Sequence, residues 1–118
     1  MLLVFAGGGL GSVIRYLVST LFTTTATAFP YATFIVNIAG SLMIGLLMGL
    51  FMKEAPASEN WKLFMITGFC GGFTTFSAFS KESVIMLQQQ QYNMLAVYLL
   101  LTLLLCIGAT ALGYAISR

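Results

Sequence analysis

The chain has 118 residues, of which 59% are hydrophobic and only 7% charged, against about 25% charged in an ordinary soluble protein. That composition excludes a self-solvating globular surface, and a net charge of +2 scattered along the chain does not point to nucleic acid. With no histidine, and with both cysteines (Cys70 and Cys106) inside apolar runs, imidazole chemistry is absent and a disulfide framework is not expected.

Four apolar segments, each close to the roughly 20 residues that a bilayer crossing needs, predict an all-α membrane protein with a single domain over 1–118. The first covers 2–22. No basic region precedes it, so it reads as a span rather than a signal peptide. Its run Gly7-Gly8-Gly9-Leu10-Gly11-Ser12 resembles a dinucleotide loop only superficially, because no strand precedes it and Ser12 departs from the pattern. Arg15, near the end of this span, is costly in hydrocarbon and admits two readings. One is snorkelling to the interface beside Tyr16; the other is a fixed positive charge at the mouth of an anion path. Thr23, Thr24, Thr25 and Thr27 form a polar loop, and Pro30 opens the second span, 31–52, which Lys53 and Glu54 close. Asn37 lies inside it without a neighbouring charge. Its amide serves either as glue between helices or as a donor to an anion in a pore.

A polar linker, 54–60 with Pro56, leads to the third span, 61–87. Its middle reads Gly68-Phe69-Cys70-Gly71-Gly72-Phe73-Thr74-Thr75-Phe76-Ser77-Ala78-Phe79. Three glycines ahead of two threonines predict a helix broken mid-membrane, and broken backbone at that depth persists only in protein or along a polar cavity. Bare carbonyls there make a ready cation site. Phe76 and Phe79, three apart, face one side; they are either packing residues or rings whose positive edges meet an anion.

Gln88, Gln89, Gln90 and Gln91 separate this span from the fourth, 92–116. There Tyr98, Thr102, Cys106 and Thr110 recur every four residues along one face. Each threonine alone commonly bonds back to its own helix, whereas the row together makes a polar track. Basic residues divide three (Lys53, Lys62, Arg118) against two (Arg15, Lys81), too even to fix one orientation. Small residues four apart (Gly7 and Gly11; Ser41, Gly45 and Gly49; Ala109 and Gly113) suit close helix approach, and four short spans enclose little core, which favours oligomers. There is no metal-ligand cluster or nucleophile–base pair, so no enzyme is expected. Glu54, Glu59 and Glu82 are placed in the linker or near a span end.

Three stretches together resemble the small bacterial fluoride channels, the Fluc (CrcB) family. They are Gly7 through Tyr16, Ala32 through Ser41, and Gly68 through Phe79, the last carrying the specific Gly-Gly-x-Thr-Thr-Phe-Ser-x-Phe element. The resemblance covers the whole chain. It implies an antiparallel, dual-topology homodimer in the bacterial inner membrane, with fluoride as the permeant ion. It also implies a structural sodium ion on the backbone carbonyls of Gly71 and Thr74. By position, Asn37, Phe76, Phe79, Tyr98, Thr102, Cys106 and Thr110 line the fluoride pore, with Arg15 at its mouth. Ala32, Ala78 and Cys106 depart from the residues more usual in that pattern. The rivals are a proton- or sodium-coupled anion transporter and a small structural assembly protein. A carboxylate buried among the spans would favour the transporter; an assembly protein would leave the break and the track without a purpose.

Overall fold

The computed structural model describes residues 1–22, 29–53 and 59–118 and is helical nearly throughout. The Thr23 to Thr27 loop and most of the Pro56 linker lie outside the described residues. Helix α1 is Leu2–Thr20 and α2 is Tyr31–Lys53. The third apolar segment contains α3, residues 59–73, and α4, Phe76–Gln88. Helix α5 is Tyr92–Ser117. The segments 2–20, 31–52, 59–88 and 92–117 are each long and apolar enough to cross a bilayer, so this is a multi-pass membrane protein by length and composition. These spans start or end within two residues of the expected ones.

Helix α3 is not uniform. Leu63–Cys70 is wound as a π-helix, a wider turn that is rare and often sits near functional sites. It ends at Cys70, and after Phe73 the chain leaves helical geometry for two residues. Thr74 (φ −79°, ψ 156°) and Thr75 (φ −150°, ψ 118°) are extended, and α4 then starts at Phe76. The glycines do not produce this interruption by conformational freedom, because no glycine among the described residues has positive φ.

Gly68 and Gly72 serve contact instead. A methyl group added at Gly11 would collide with the Phe69 carbonyl, and one at Gly72 with the Gly8 carbonyl, so α1 and α3 touch backbone to backbone. The same holds between α2 and α5, where a Cβ at Gly113 would stand 2.6 Å from the Leu42 carbonyl and one at Gly45 would strike that of Thr110. The small-residue spacings therefore act within one chain. Helix α1 packs mainly on α3 and α2 mainly on α5, with few contacts between α1 and α2.

The enclosed core is small. Phe79, Met86 and Tyr98 form its buried cluster, flanked by Phe29, Phe34 and Leu95 among others. Most large apolar side chains of α5 face outward, Leu100, Leu104 and Ile107 each more than 60% exposed. Such a surface needs lipid or another protein against it.

The α4–α5 turn closes by a Schellman arrangement: Gln91 N–H donates to the Met86 carbonyl (2.9 Å) and Gln90 N–H to that of Leu87 (3.1 Å). The motif places Gln90 in left-handed backbone (φ 58°), where a side chain costs about 1 kcal/mol relative to glycine. Gln90→Gly is accordingly expected to raise the unfolding midpoint in detergent. Gly45→Ala, which drives a methyl into the Thr110 carbonyl, is expected to lower stability by about 1–3 kcal/mol. A Gly45→Ala protein as stable as wild type would contradict the backbone-contact account of the α2–α5 pair.

Candidate functional site

Interrupting a helix frees backbone groups that must find partners elsewhere. Thr75 N–H, which in an unbroken helix would serve the Gly71 carbonyl, donates instead to Asn37 Oδ1 at 2.8 Å. Asn37 Nδ2 in turn donates to the Thr75 carbonyl at 3.1 Å, so one side-chain amide pairs with both polar groups of one residue. Ala78 N–H, the helical partner of the Thr74 carbonyl, is taken by Thr75 Oγ1 (3.2 Å), which caps α4. The Gly72 carbonyl accepts from Arg15 Nε (3.1 Å) and more weakly from Ser12 Oγ (3.4 Å). Thr74 Oγ1 donates to the Cys70 carbonyl at 2.8 Å, tying the link back to the helix it leaves. The carbonyls of Gly71 and Thr74 are thus the two whose usual helical donors are engaged by other acceptors.

Beside this link lies a cavity of about 260 Å³ between α2, α4 and α5, bordered by Asn37, Thr74, Thr75, Phe76, Phe79, Thr102 and Cys106. Its walls are mainly apolar with a few inward polar groups, the common build of a site for a small solute. Thr102 Oγ1 is buried there without a hydrogen-bond partner among the described residues. A buried hydroxyl left unpaired costs free energy, so it is poised to bond whatever enters. The rings of Phe76 and Phe79 lie 5.5 Å apart at 43°. Their surroundings differ: Phe79 is 8% exposed and packs 5.1 Å from Tyr98, whereas Phe76 is 76% exposed on the outside of the subunit.

The row on α5 divides by role. Thr102 and Cys106 border this cavity, and Cys106 and Thr110 border an adjoining one of about 470 Å³. Thr110 does not bond back within its own helix; its hydroxyl crosses to the Ser41 carbonyl on α2 (3.0 Å). Tyr98 sits behind Phe79 rather than in the cavity wall, fully buried, its hydroxyl donating to Glu82 Oε2 at 2.8 Å. Thr33 Oγ1 donates to the other oxygen of Glu82 at 2.7 Å. Glu82 is therefore not a span-end carboxylate left to solvent. It is half-buried where α2, α4 and α5 meet, and sequence reading missed it together with Thr33. The one available signal was periodic: Glu82 follows Phe79 by three residues and shares its face.

Arg15 stands apart from the cavity around Thr102. It borders another cavity, of about 330 Å³, on the opposite side of Thr75, with Ser12, Thr33 and Glu82. Thr75 borders both. Gly71 is on the exposed surface of the subunit.

Four apolar spans, an extended link inside the third and cavities carrying a few polar groups on its flanks define a small multi-pass membrane protein with the features of a solute path. The comparisons name its kin. Residues 2–114 match the family described as CrcB-like protein, Camphor Resistance (CrcB), and the chain belongs to that family. It is 48% identical over 113 residues to the fluoride-specific ion channel FluC of Flavobacterium psychrophilum, covering 95% of this chain and 91% of that one. It is 44% identical over 117 residues to the channel of the same name from Azobacteroides pseudotrichonymphae, covering 98% and 94%. A third, from Rhodopseudomonas palustris, is 41% identical over 118 residues, covering 99% and 95%.

The hydroxyls of Tyr98 and Thr102 should behave oppositely. Tyr98→Phe removes a donor from the Glu82 carboxylate and is expected to lower stability by about 1–2 kcal/mol. Thr102→Val removes an unpartnered buried hydroxyl and is expected to leave stability unchanged or raise it. Thermal unfolding of both in the same detergent checks this; equal losses would mean that Thr102 has a partner.

Proposed function

We propose that the chain is a fluoride-selective channel, working as an antiparallel homodimer in the bacterial inner membrane and releasing fluoride passively. Its similarity to fluoride-specific ion channels supports the ion, and one observation of the site carries the path. That observation is the cavity beside the Thr74–Thr75 link, bordered by Phe76, Phe79 and Thr102, whose hydroxyl is buried without a partner among the described residues. Fluoride is small and strongly hydrated, so a narrow path must replace its water with donors. Thr102 offers a free hydroxyl, Cys106 a weak thiol donor, and Asn37 the N–H that Thr75 does not use. Ring edges of Phe76 and Phe79 add positive partial charge without a titratable group. Tyr98 holds Phe79 from behind, and Thr110 continues the row toward the adjoining cavity. Arg15, across Thr75, adds positive charge on the other side.

Exposure of Phe76 and Gly71 on the outside of the subunit supports a second copy packed over this face. The evenly divided basic residues support copies inserted both ways up. The carbonyls of Gly71 and Thr74 fit a monovalent cation such as sodium, since hard oxygen ligands whose usual helical donors are engaged elsewhere suit a hard ion. When bound, that ion would supply a fixed positive charge near the path.

Glu82 gives the coupled-transporter reading its one specific footing, because a half-buried carboxylate is the group such a protein uses. Fluoride release from proteoliposomes of the purified protein, with chloride as control anion, separates the readings. Fast fluoride and negligible chloride release, unaffected by collapsing the proton gradient, is the expected result. Dependence on a proton gradient would replace the channel with a coupled transporter. Absence of release from well-folded protein would leave an assembly role. Phe76→Ile, at a position already 76% exposed, is expected to preserve the fold and cut fluoride flux by about tenfold or more. Unchanged flux would remove the ring edges from the mechanism.

A further inference from the structure

We propose that Asn37 and Arg15 are positioning residues that act on the backbone of the interrupted helix. From α2 and α1 they hold the Thr74–Thr75 link open: Asn37 draws the helical donor away from the Gly71 carbonyl, and Arg15 occupies the Gly72 carbonyl where the helix ends. The accounting of hydrogen bonds carries this. Asn37 is 8% exposed, and its Oδ1 together with one of its two N–H groups is engaged by Thr75. The pairing is the one a neighbouring strand residue would make, supplied by a single side chain. It takes Thr75 N–H out of the bond that would rewind the helix onto Gly71. Arg15 completes the arrangement from the opposite side: its Nε, and not only its charge, meets the Gly72 carbonyl. Without Arg15 that carbonyl would keep only the longer contact from Ser12 Oγ (3.4 Å), since the helix stops at Phe73. The two side chains reach the link from helices that hardly touch one another, so the extended conformation is fixed from two independent supports.

Charge alone predicts a different chemistry at residue 15. In lysine the fourth side-chain atom is a methylene where arginine has Nε, so Arg15→Lys keeps the positive charge and puts an apolar group against the Gly72 carbonyl. The consequence for cation binding rests on the sodium reading proposed above; the backbone roles do not.

The test uses full-length protein in lipid, labelled with 15N-threonine, and reads amide exchange at Thr75 against Thr74, whose N–H bonds the Cys70 carbonyl. Asn37→Ala is expected to speed Thr75 exchange by about tenfold or more, with a smaller change at Thr74. Asn37→Asp keeps the acceptor and is expected to keep Thr75 protected, which serves as the reading should Asn37→Ala not fold. Thr75 exchange unchanged in Asn37→Ala, or lost in Asn37→Asp, would overturn the role of Asn37.

For Arg15, the sodium concentration giving half-maximal fluoride release is measured in wild type and Arg15→Lys, together with the 13C carbonyl shift of Gly72. A rise of about tenfold in the sodium requirement and a moved carbonyl signal are expected. An unmoved Gly72 signal would overturn the role of Arg15 whatever the flux. Wild-type release that needs no sodium would overturn the carbonyl cation site, and the exchange and carbonyl readings would then decide the positioning roles by themselves.

Discussion

Inside a bilayer an unpaired peptide group costs several kcal/mol, and that cost shapes everything around Thr74 and Thr75. Two extended residues in an apolar segment release donors and acceptors that the helix would have consumed. The Thr75 amide, the Ala78 amide and the Gly72 carbonyl are met by groups placed for them, the Asn37 amide, the Thr75 hydroxyl and the Arg15 guanidinium in turn. The surrounding packing then follows. Helix α1 must lie against α3 closely enough for Arg15 to reach Gly72, which is why glycine faces backbone at Gly7, Gly11 and Gly72. Helix α2 must present Asn37 inward, so Thr33, Val36 and Asn37 form its buried stripe.

The subunit is lopsided in consequence. One ring of the Phe76–Phe79 pair is packed on Tyr98 and the other stands outside. The cavity beside them is walled in part by α5, little of which is covered within the chain. Four helices with so little enclosed volume leave much of their apolar surface uncovered within the chain. The buried core, built around Phe79, Met86 and Tyr98, collects at the α4 and α5 end of the molecule.

Hydropathy made the four spans legible, since length and apolarity alone set them, and the four-residue recurrence on α5 located Thr102, Cys106 and Thr110. Asn37 and Arg15 were visible as polar intruders, but their partners were not. Those partners are backbone atoms 38 and 57 positions away, and a carbonyl leaves no mark in a sequence. Glu82 was concealed for a related reason. Its neighbours in sequence, Lys81 and Ser83, suggest a solvated helix end, while its donors, Thr33 and Tyr98, come from two other helices. Gly68, Gly71 and Gly72 suggested a weakened helix, whereas Gly68 and Gly72 lie against the backbone of α1, a contact that only the structure reveals.

The pairing of helices has a consequence for how such a chain is made. Helix α1 finds its main partner in α3 and α2 finds its own in α5, so the two pairs are interleaved along the sequence. During synthesis α1 and α2 enter the bilayer as adjacent spans with almost nothing to offer each other. The first pair closes only after residue 73 has emerged, and the second waits for nearly the whole of the last helix. Until then each span must be stable in lipid by itself, and helix association comes as a later, separate stage. The strong apolarity of each span is thus a requirement of assembly order as much as of the finished structure.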